Sequence, residues 1–355
     1  MKFERRRALL MSSLSEVECF LVLRDIHVRY LSGLMSSNAA LLISHKEPAL
    51  FTDGRYALMA QHVAPDCDLQ VERQVASAAI RKAADMGLRH VGYESAYVSV
   101  AHDTELQATA REVGVDLIPL TNVVEDLRLI KDDAEVQAVT TACHITDQAW
   151  LQTIQDGVVG KTERELAGIV EMYFRKFGAE DRAFDSIVAT GPNSAIPHHH
   201  PTDRVVEPGD LLKIDCGARF DGYHADMTRT VVVGKVADWQ ADIYRHVQQS
   251  QQNAMDACRP GADSFDIDGV ARASIEAAGF GETLVHQCGH GVGLEIHERP
   301  FLGRRDGILA PNMPITVEPG IYLEGRGGVR IEDTILITAQ GYRRLTESTR
   351  DLLEI

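Results

Sequence analysis

Short apolar-rich runs separated by amphipathic stretches fill the first third of the chain. Cys19–Leu23, Ala39–Ile43, Pro48–Phe51 and His90–Tyr93 have strand length, while Val75–Met86 repeats its apolar positions at helical spacing. That alternation predicts an α/β domain. Thr52-Asp53-Gly54-Arg55-Tyr56 predicts a turn, because Asp-Gly tolerates positive φ.

The pattern changes near Leu127. Lys131-Asp132-Asp133-Ala134-Glu135 opens a long helical period through Val136, Val139, Cys143 and Trp150, with acids at the end the helix dipole favours. A second helix is predicted over Glu163–Phe177, followed by the apolar-rich segment Phe184–Thr190 and a loop, Gly191–Pro197. Strands are predicted at Leu211–Asp215, Met227–Val233, Ile315–Glu318 and Gly328–Ile337, and helices at Tyr244–Cys258 and Asp266–Ala278. Helices mixed with antiparallel hairpins make this part α+β. The domains are therefore expected at 1–127 and 128–355, and 355 residues do exceed what one core usually supports.

Composition narrows the function. The chain is 45% hydrophobic and 25% charged, as folded globular proteins are. Its net charge of -16, from 36 basic and 52 acidic side chains, argues against a nucleic-acid partner, which would need surplus Lys and Arg. Met1–Leu10 is basic, but Ser12, Ser13, Ser15, Glu16 and Glu18 interrupt any secretory core. No run approaches the roughly 18 to 20 apolar residues of a membrane span, so a cytoplasmic protein with no membrane partner is expected. The six cysteines are scattered without a CxxC pair, which fits reduced, buried thiols.

The candidate chemistry sits in the acids. Asp215 ends the apolar run Leu211-Leu212-Lys213-Ile214-Asp215-Cys216-Gly217, and Asp226 follows in Gly222-Tyr223-His224-Ala225-Asp226. Burying one unpaired carboxylate costs several kcal/mol, and clustering four requires cations to neutralise them. Hairpins pair Asp215 with Asp226 and Glu318 with Glu332; with His290 they form a set of four carboxylates and one imidazole. Such donors suit hard or borderline ions, manganese, cobalt or zinc, rather than a thiolate zinc site. Two such ions lower the pKa of a shared water toward about 7 and polarise a carbonyl, which is amide-hydrolysis chemistry. Taken singly, each acid is more simply a cap, a turn or a surface charge. The reading is defeated if the five point apart, or if Arg or Lys takes a cation's place.

The segments Ile214-Asp215-Cys216-Gly217, Ala225-Asp226-Met227-Thr228-Arg229-Thr230, Gly289-His290-Gly291-Val292-Gly293-Leu294-Glu295-Ile296-His297-Glu298, Val317-Glu318-Pro319-Gly320-Ile321-Tyr322 and Arg330-Ile331-Glu332-Asp333-Thr334 resemble the aminopeptidase P and prolidase branch of the pita-bread metallopeptidases. The part before Leu127, with Phe51-Thr52-Asp53-Gly54-Arg55-Tyr56, is similar to the smaller creatinase-type α/β amino-terminal domain of that branch. The resemblance implies two divalent ions per chain, manganese first and cobalt or zinc as alternatives. It implies that Asp215 chelates one ion, Asp226 and Glu332 bridge both, His290 binds the second and Glu318 completes its shell. Glu318 is also the implied proton shuttle. His198 and His297 are implied at the substrate and its developing charge, and His286 beside them. Tyr322 is expected to hydrogen-bond the reacting centre and Arg330 to orient a ligand carboxylate. His199 and His200 carry no such implication. Gly289, Gly291 and Gly293 are expected where backbone passes close to metal or substrate. Gln287, Cys288 and Cys216 depart from the usual family pattern, which bears on pocket shape and oxidation sensitivity.

The implied substrates are peptides with proline at the second position, whose bond is a tertiary amide that general peptidases handle badly. The expected activity is an Xaa-Pro aminopeptidase working as a homodimer or homotetramer. The alternatives are an Xaa-Pro dipeptidase (prolidase) and a creatinase-like non-peptidase hydrolase. Methionine aminopeptidase shares the metal set but lacks the first domain and the Arg330-Ile331-Glu332-Asp333 segment.

Overall fold

The computed structural model describes residues 2–355, and the chain divides into two compact units, Met1–Arg128 and Leu129–Ile355. Among the described residues no helix is long and apolar enough to cross a membrane.

The first unit is a six-stranded sheet in the order Asp68–Val71, Ala49–Thr52, Ala39–Ser44, Cys19–Val22, His90–Glu94, Asp116–Leu120. Ala39–Ser44 runs antiparallel to both its neighbours, Ala49–Thr52 and Cys19–Val22, and the remaining pairings are parallel. Cys19–Val22 and Ala49–Thr52 are buried at every position, so they read as continuous apolar runs rather than alternating ones. Helix Val75–Asp85 packs Ala79, Ile80 and Ala83 into the core with Leu21, Leu42 and Phe51. Lys2–Ser12 is helical although its sequence predicted none. Its buried Arg6 and Arg7 donate to the carbonyls of Tyr30 (3.0 Å) and Leu31 (2.8 Å), filling acceptors left at the end of helix Asp25–Ser32. That is a tertiary reason for a helix, invisible to periodicity.

The second unit is built twice over. Helices Asp133–Gln155 and Glu163–Lys176, opened by the capping boxes Asp132/Glu135 and Thr162/Glu165, cover the antiparallel strands Ile187–Thr190, Leu211–Cys216 and Met227–Val232. Helices Asp238–Ala257 and Ser264–Ala277 then cover a five-stranded sheet ordered Glu298–Phe301, His290–Gly291, Pro314–Val317, Asp333–Thr338, Gly341–Arg344, with a hairpin of Gly320–Leu323 and Gly327–Arg330. The single strand expected over Gly328–Ile337 is thus two strands in different sheets, broken at Ile331-Glu332. The break falls where a buried acid leaves the ladder.

Strand alternation explains where the two halves meet. Leu212, Ile214 and Cys216 enter the core of the first half with Trp150, Phe174 and Met227. Lys213 and Asp215 therefore face the other way, toward the second half. There the strands cross-link. Thr228 Oγ1 donates to Glu332 (2.7 Å), Glu332 N to Thr228 O (3.1 Å), Thr334 Oγ1 to Asp226 O (2.8 Å) and Thr230 Oγ1 to Arg330 O (3.0 Å). The buried Arg229 donates to Asp333 (2.7 Å), which also accepts from Thr346 (2.8 Å) and Gln251 (3.0 Å). Arg229→Ala leaves Asp333 charged, buried and without its main cation, and is expected to lower the stability of the second unit by about 3–5 kcal/mol. Guanidinium unfolding followed by tryptophan fluorescence measures this; an unchanged midpoint would remove the ion pair from the account of the fold.

Candidate metal centre

A cavity of about 450 Å³ opens in the second unit, lined by Asp215, Asp226, His290, Glu318 and Glu332. Asp226, His290 and Glu332 each offer a donor atom within 4.8 Å of the others. His290 Nε2 lies 3.6 Å from Asp226 Oδ2 and 3.5 Å from Glu318 Oε1. Two donors at about 2.1 Å from one tetrahedral ion stand roughly 3.4 Å apart, so these separations fit donors sharing a cation.

Each side chain is placed by its backbone. Asp215 is the fifth residue of its strand, opposite Thr228, and Asp226 comes just before the neighbouring strand begins. Glu318 and Glu332 flank a second strand pair in which Val317 faces Asp333. His290 is fixed by Thr316 Oγ1 on its backbone N–H (3.1 Å) and by Nδ1 on the carbonyl of Gly291 (3.0 Å). With Nδ1 carrying the proton, Nε2 presents its lone pair to the acids.

Gly289 lines the cavity, and both it and Gly291 lie tight against neighbouring backbone, while Gly293 lies against the Glu298 side chain. A Cβ on Gly289 (φ 153°) would sit 2.1 Å from Thr316 O, and one on Gly291 would sit 2.3 Å from Arg299 O. They let the His290 strand lie between its two neighbours.

Asp215 is set apart from the others. Its Oδ2 pairs with Arg330, so one of the five does meet an arginine. The guanidinium takes only one of the two Asp215 oxygens, however. Its other N–H groups point away, to Thr228 Oγ1 (3.0 Å), Tyr322 Oη (2.8 Å) and Pro197 O (3.2 Å), and Asp215 Oδ1 stays buried without a hydrogen-bond partner. Glu332 Oε1 is likewise buried and unpartnered. Two bare carboxylate oxygens beside one cavity are costly unless a cation meets them, and this donor set fits divalent ions.

The electrostatics agree. Burial, then the charges of neighbouring acids, pushes Asp226 and Glu332 well above the usual carboxylate range. Burial raises Glu318 to about 7. Burial, and then His297 at 4.4 Å between ring centroids, drops His290 to about 3, so it is the neutral imidazole a metal requires.

The remaining predicted residues divide between the cavity wall and its support. His198 and His297 are exposed on the wall; His286 and Arg330 also line it. Tyr322 does not. Its hydroxyl accepts from Arg330 and meets His286 Nε2 at 2.8 Å, closing a relay Asp215–Arg330–Tyr322–His286. Gln287 lines the cavity, whereas Cys216 and Cys288 lie in the cores with thiols that burial pushes well up.

Sequence reasoning passed over Glu163, whose buried carboxylate accepts from Thr190 N (2.8 Å), Asn193 Nδ2 (3.0 Å) and Thr202 N (2.9 Å) and meets His199 Nε2 at 2.8 Å. It thereby ties down the loop carrying His198. An acid at a helix start reads as an ordinary dipole partner, and nothing local marks it further.

A mixed helix-and-sheet unit whose cavity gathers four carboxylates and an imidazole belongs to the metallohydrolase class. The chain matches the model of metallopeptidase family M24 over residues 137–339 and that of the creatinase/prolidase N-terminal domain over residues 7–130. It belongs to metallopeptidase family M24, with the pita-bread catalytic fold behind a creatinase-type domain. It is 36% identical over 342 residues, 96% of this chain and 95% of the relative, to an Xaa-Pro dipeptidase of Pyrococcus horikoshii. An Xaa-Pro dipeptidase structure from Bacillus anthracis superposes with a TM-score of 0.93 at 33% identity, covering 100% of this chain and 99% of the other. An X-Pro aminopeptidase structure from Thermotoga maritima gives 0.91 at 33% identity, covering 99% and 100%.

Because the cation-free site holds protons, a divalent ion must displace them. Titrating manganese into metal-free protein at pH 6, in buffers of different ionisation enthalpy, is expected to show proton release that shrinks as pH rises past about 7. Binding without proton release at pH 6 would contradict the buried, protonated carboxyls.

Proposed function

We propose that this chain is an Xaa-Pro dipeptidase that holds two divalent ions, manganese first, and hydrolyses the bond before proline. The observation that carries the proposal is the pair of bare buried oxygens, Asp215 Oδ1 and Glu332 Oε1, beside Asp226, His290 and Glu318 in one cavity. Asp215, Asp226, His290, Glu318 and Glu332 are the residues that would hold the ions. When bound, the ions supply Lewis acidity, activating water and polarising the substrate carbonyl. The relatives favour the dipeptidase over the aminopeptidase first expected, since the P. horikoshii relative that spans almost the whole chain is named an Xaa-Pro dipeptidase.

The chain's own groups fit the rest of the reaction. Glu318, buried beside the other acids on the cavity wall, takes a proton from the attacking water and returns it to the proline nitrogen, which is a tertiary amine in the tetrahedral intermediate and must be protonated to leave. His198 and His297, on the cavity wall, offer N–H groups to the oxygen on which charge develops. Phe184, Ile187, Ile296 and Phe301 give the cavity an apolar wall for the pyrrolidine ring.

Manganese-loaded enzyme is expected to cleave Xaa-Pro dipeptides with a higher kcat/KM than Xaa-Pro-Yaa tripeptides; the opposite order would return the reading to an aminopeptidase, and turnover of Met-Ala-Yaa alone would end it. Glu318→Gln is expected to lower kcat by roughly 10²-fold or more with its circular dichroism unchanged. Wild-type turnover in that variant would move the proton transfer to another group.

A further inference from the structure

Lys213 is a lysine in the middle of an apolar strand, with no exposed surface. Among the described residues no carboxylate comes within ion-pair distance of its ammonium. Nζ instead donates to the carbonyls of Ser194 (3.1 Å), Ile196 (2.7 Å) and Pro197 (3.5 Å), and it stands 5.1 Å from the Tyr322 ring centroid. Burying an unpaired ammonium is costly, and an apolar side chain would fill the same volume without that cost. What an apolar side chain cannot do is gather three carbonyls from one turn. That turn runs directly into His198.

The register gives the contact its meaning. Lys213 and Asp215 are two residues apart on one strand face, so a single rigid segment presents an acid to the cavity and an amine donor to the loop behind the cavity wall. Arg330 repeats the arrangement by holding both Asp215 and Pro197 O. Glu163 ties the far side of the same loop, through Thr190, Asn193 and His199.

We propose that Lys213 is a positioning residue: its grip on the Ser194–Pro197 turn sets the distance between the His198 imidazole and the acid cluster. The proposal rests on the reading above, in which His198 meets the substrate. Lys213 touches neither substrate nor ion, and it acts through His198.

The test is a double-mutant cycle on manganese-loaded enzyme with an Xaa-Pro dipeptide, with metal per chain counted by mass spectrometry. Lys213→Met is expected to lower kcat by about 10- to 100-fold, with KM and metal content little changed, as a small displacement of a reacting group does. In a His198→Ala background the same substitution is expected to cost less than about threefold. If Lys213→Met does not accumulate folded, Lys213→Leu, which likewise removes every donor to the turn, carries the same cycle. Equal losses in both backgrounds, or wild-type kcat in Lys213→Met beside an impaired His198→Ala, would overturn the proposal alone. Wild-type turnover in His198→Ala would overturn the assigned role of His198, and this inference with it.

Discussion

The buried pair Arg229–Asp333 is the constraint on which the catalytic unit turns. Each residue sits in a strand next to residues of the candidate centre, Thr228 on one side and Glu332 on the other, and points away from the cavity. Because successive side chains alternate, locking Arg229 to Asp333 on one face turns Thr228, Glu332 and Thr334 to the opposite face, where the acids collect. Burial raises the Asp333 carboxyl, but Arg229 and Arg344 outweigh it and hold the group below the ordinary carboxylate range. It remains an anion, and the clamp remains charged. The same distance from water that makes the clamp strong makes the neighbouring acids expensive to ionise.

That contrast separates two kinds of buried carboxylate within a few residues of each other. Asp333 meets guanidinium, hydroxyl and amide donors that satisfy both its oxygens, so it is structural. Asp215 and Glu332 each keep one oxygen without a partner. A fold stable enough to hold such groups in place supplies the preorganisation that metal sites require, and the relay from Asp215 through Arg330 and Tyr322 to His286 stiffens it further.

Much of this was legible in the chain itself. Asp215 ends an apolar run, and the acids Asp132, Asp133 and Glu135 marked the start of the long helix, whereas the Thr162/Glu165 capping box of the next helix was seen only in the structure. An α/β part followed by an α+β part was legible in the same patterns, and the resemblance to the pita-bread metallopeptidases implied the particular fold. Lys213 and Arg229 were visible as cations inside apolar strands, but what a cation grips is a tertiary fact. Helix Lys2–Ser12 is decided by carbonyls some two dozen residues away, and the break at Ile331-Glu332 by a sheet the local sequence does not contain. Tyr322 shows the limit most clearly. Its place four residues after Glu318 suggested a group at the reacting centre, and nothing in the local sequence signalled that its hydroxyl also joins Arg330 to His286.

The clamp also reaches into the segment 346–355. Arg229 donates to the carbonyls of Ser348 and Thr349 (both 2.9 Å), Asp333 accepts from Thr346, and Leu353 and Ile355 pair with Val232. Chains leave the ribosome from the amino end, so Asp215 and Asp226 emerge long before this segment does. The register that turns Thr228, Glu332 and Thr334 toward the cavity is therefore completed by residues translated after every candidate ligand.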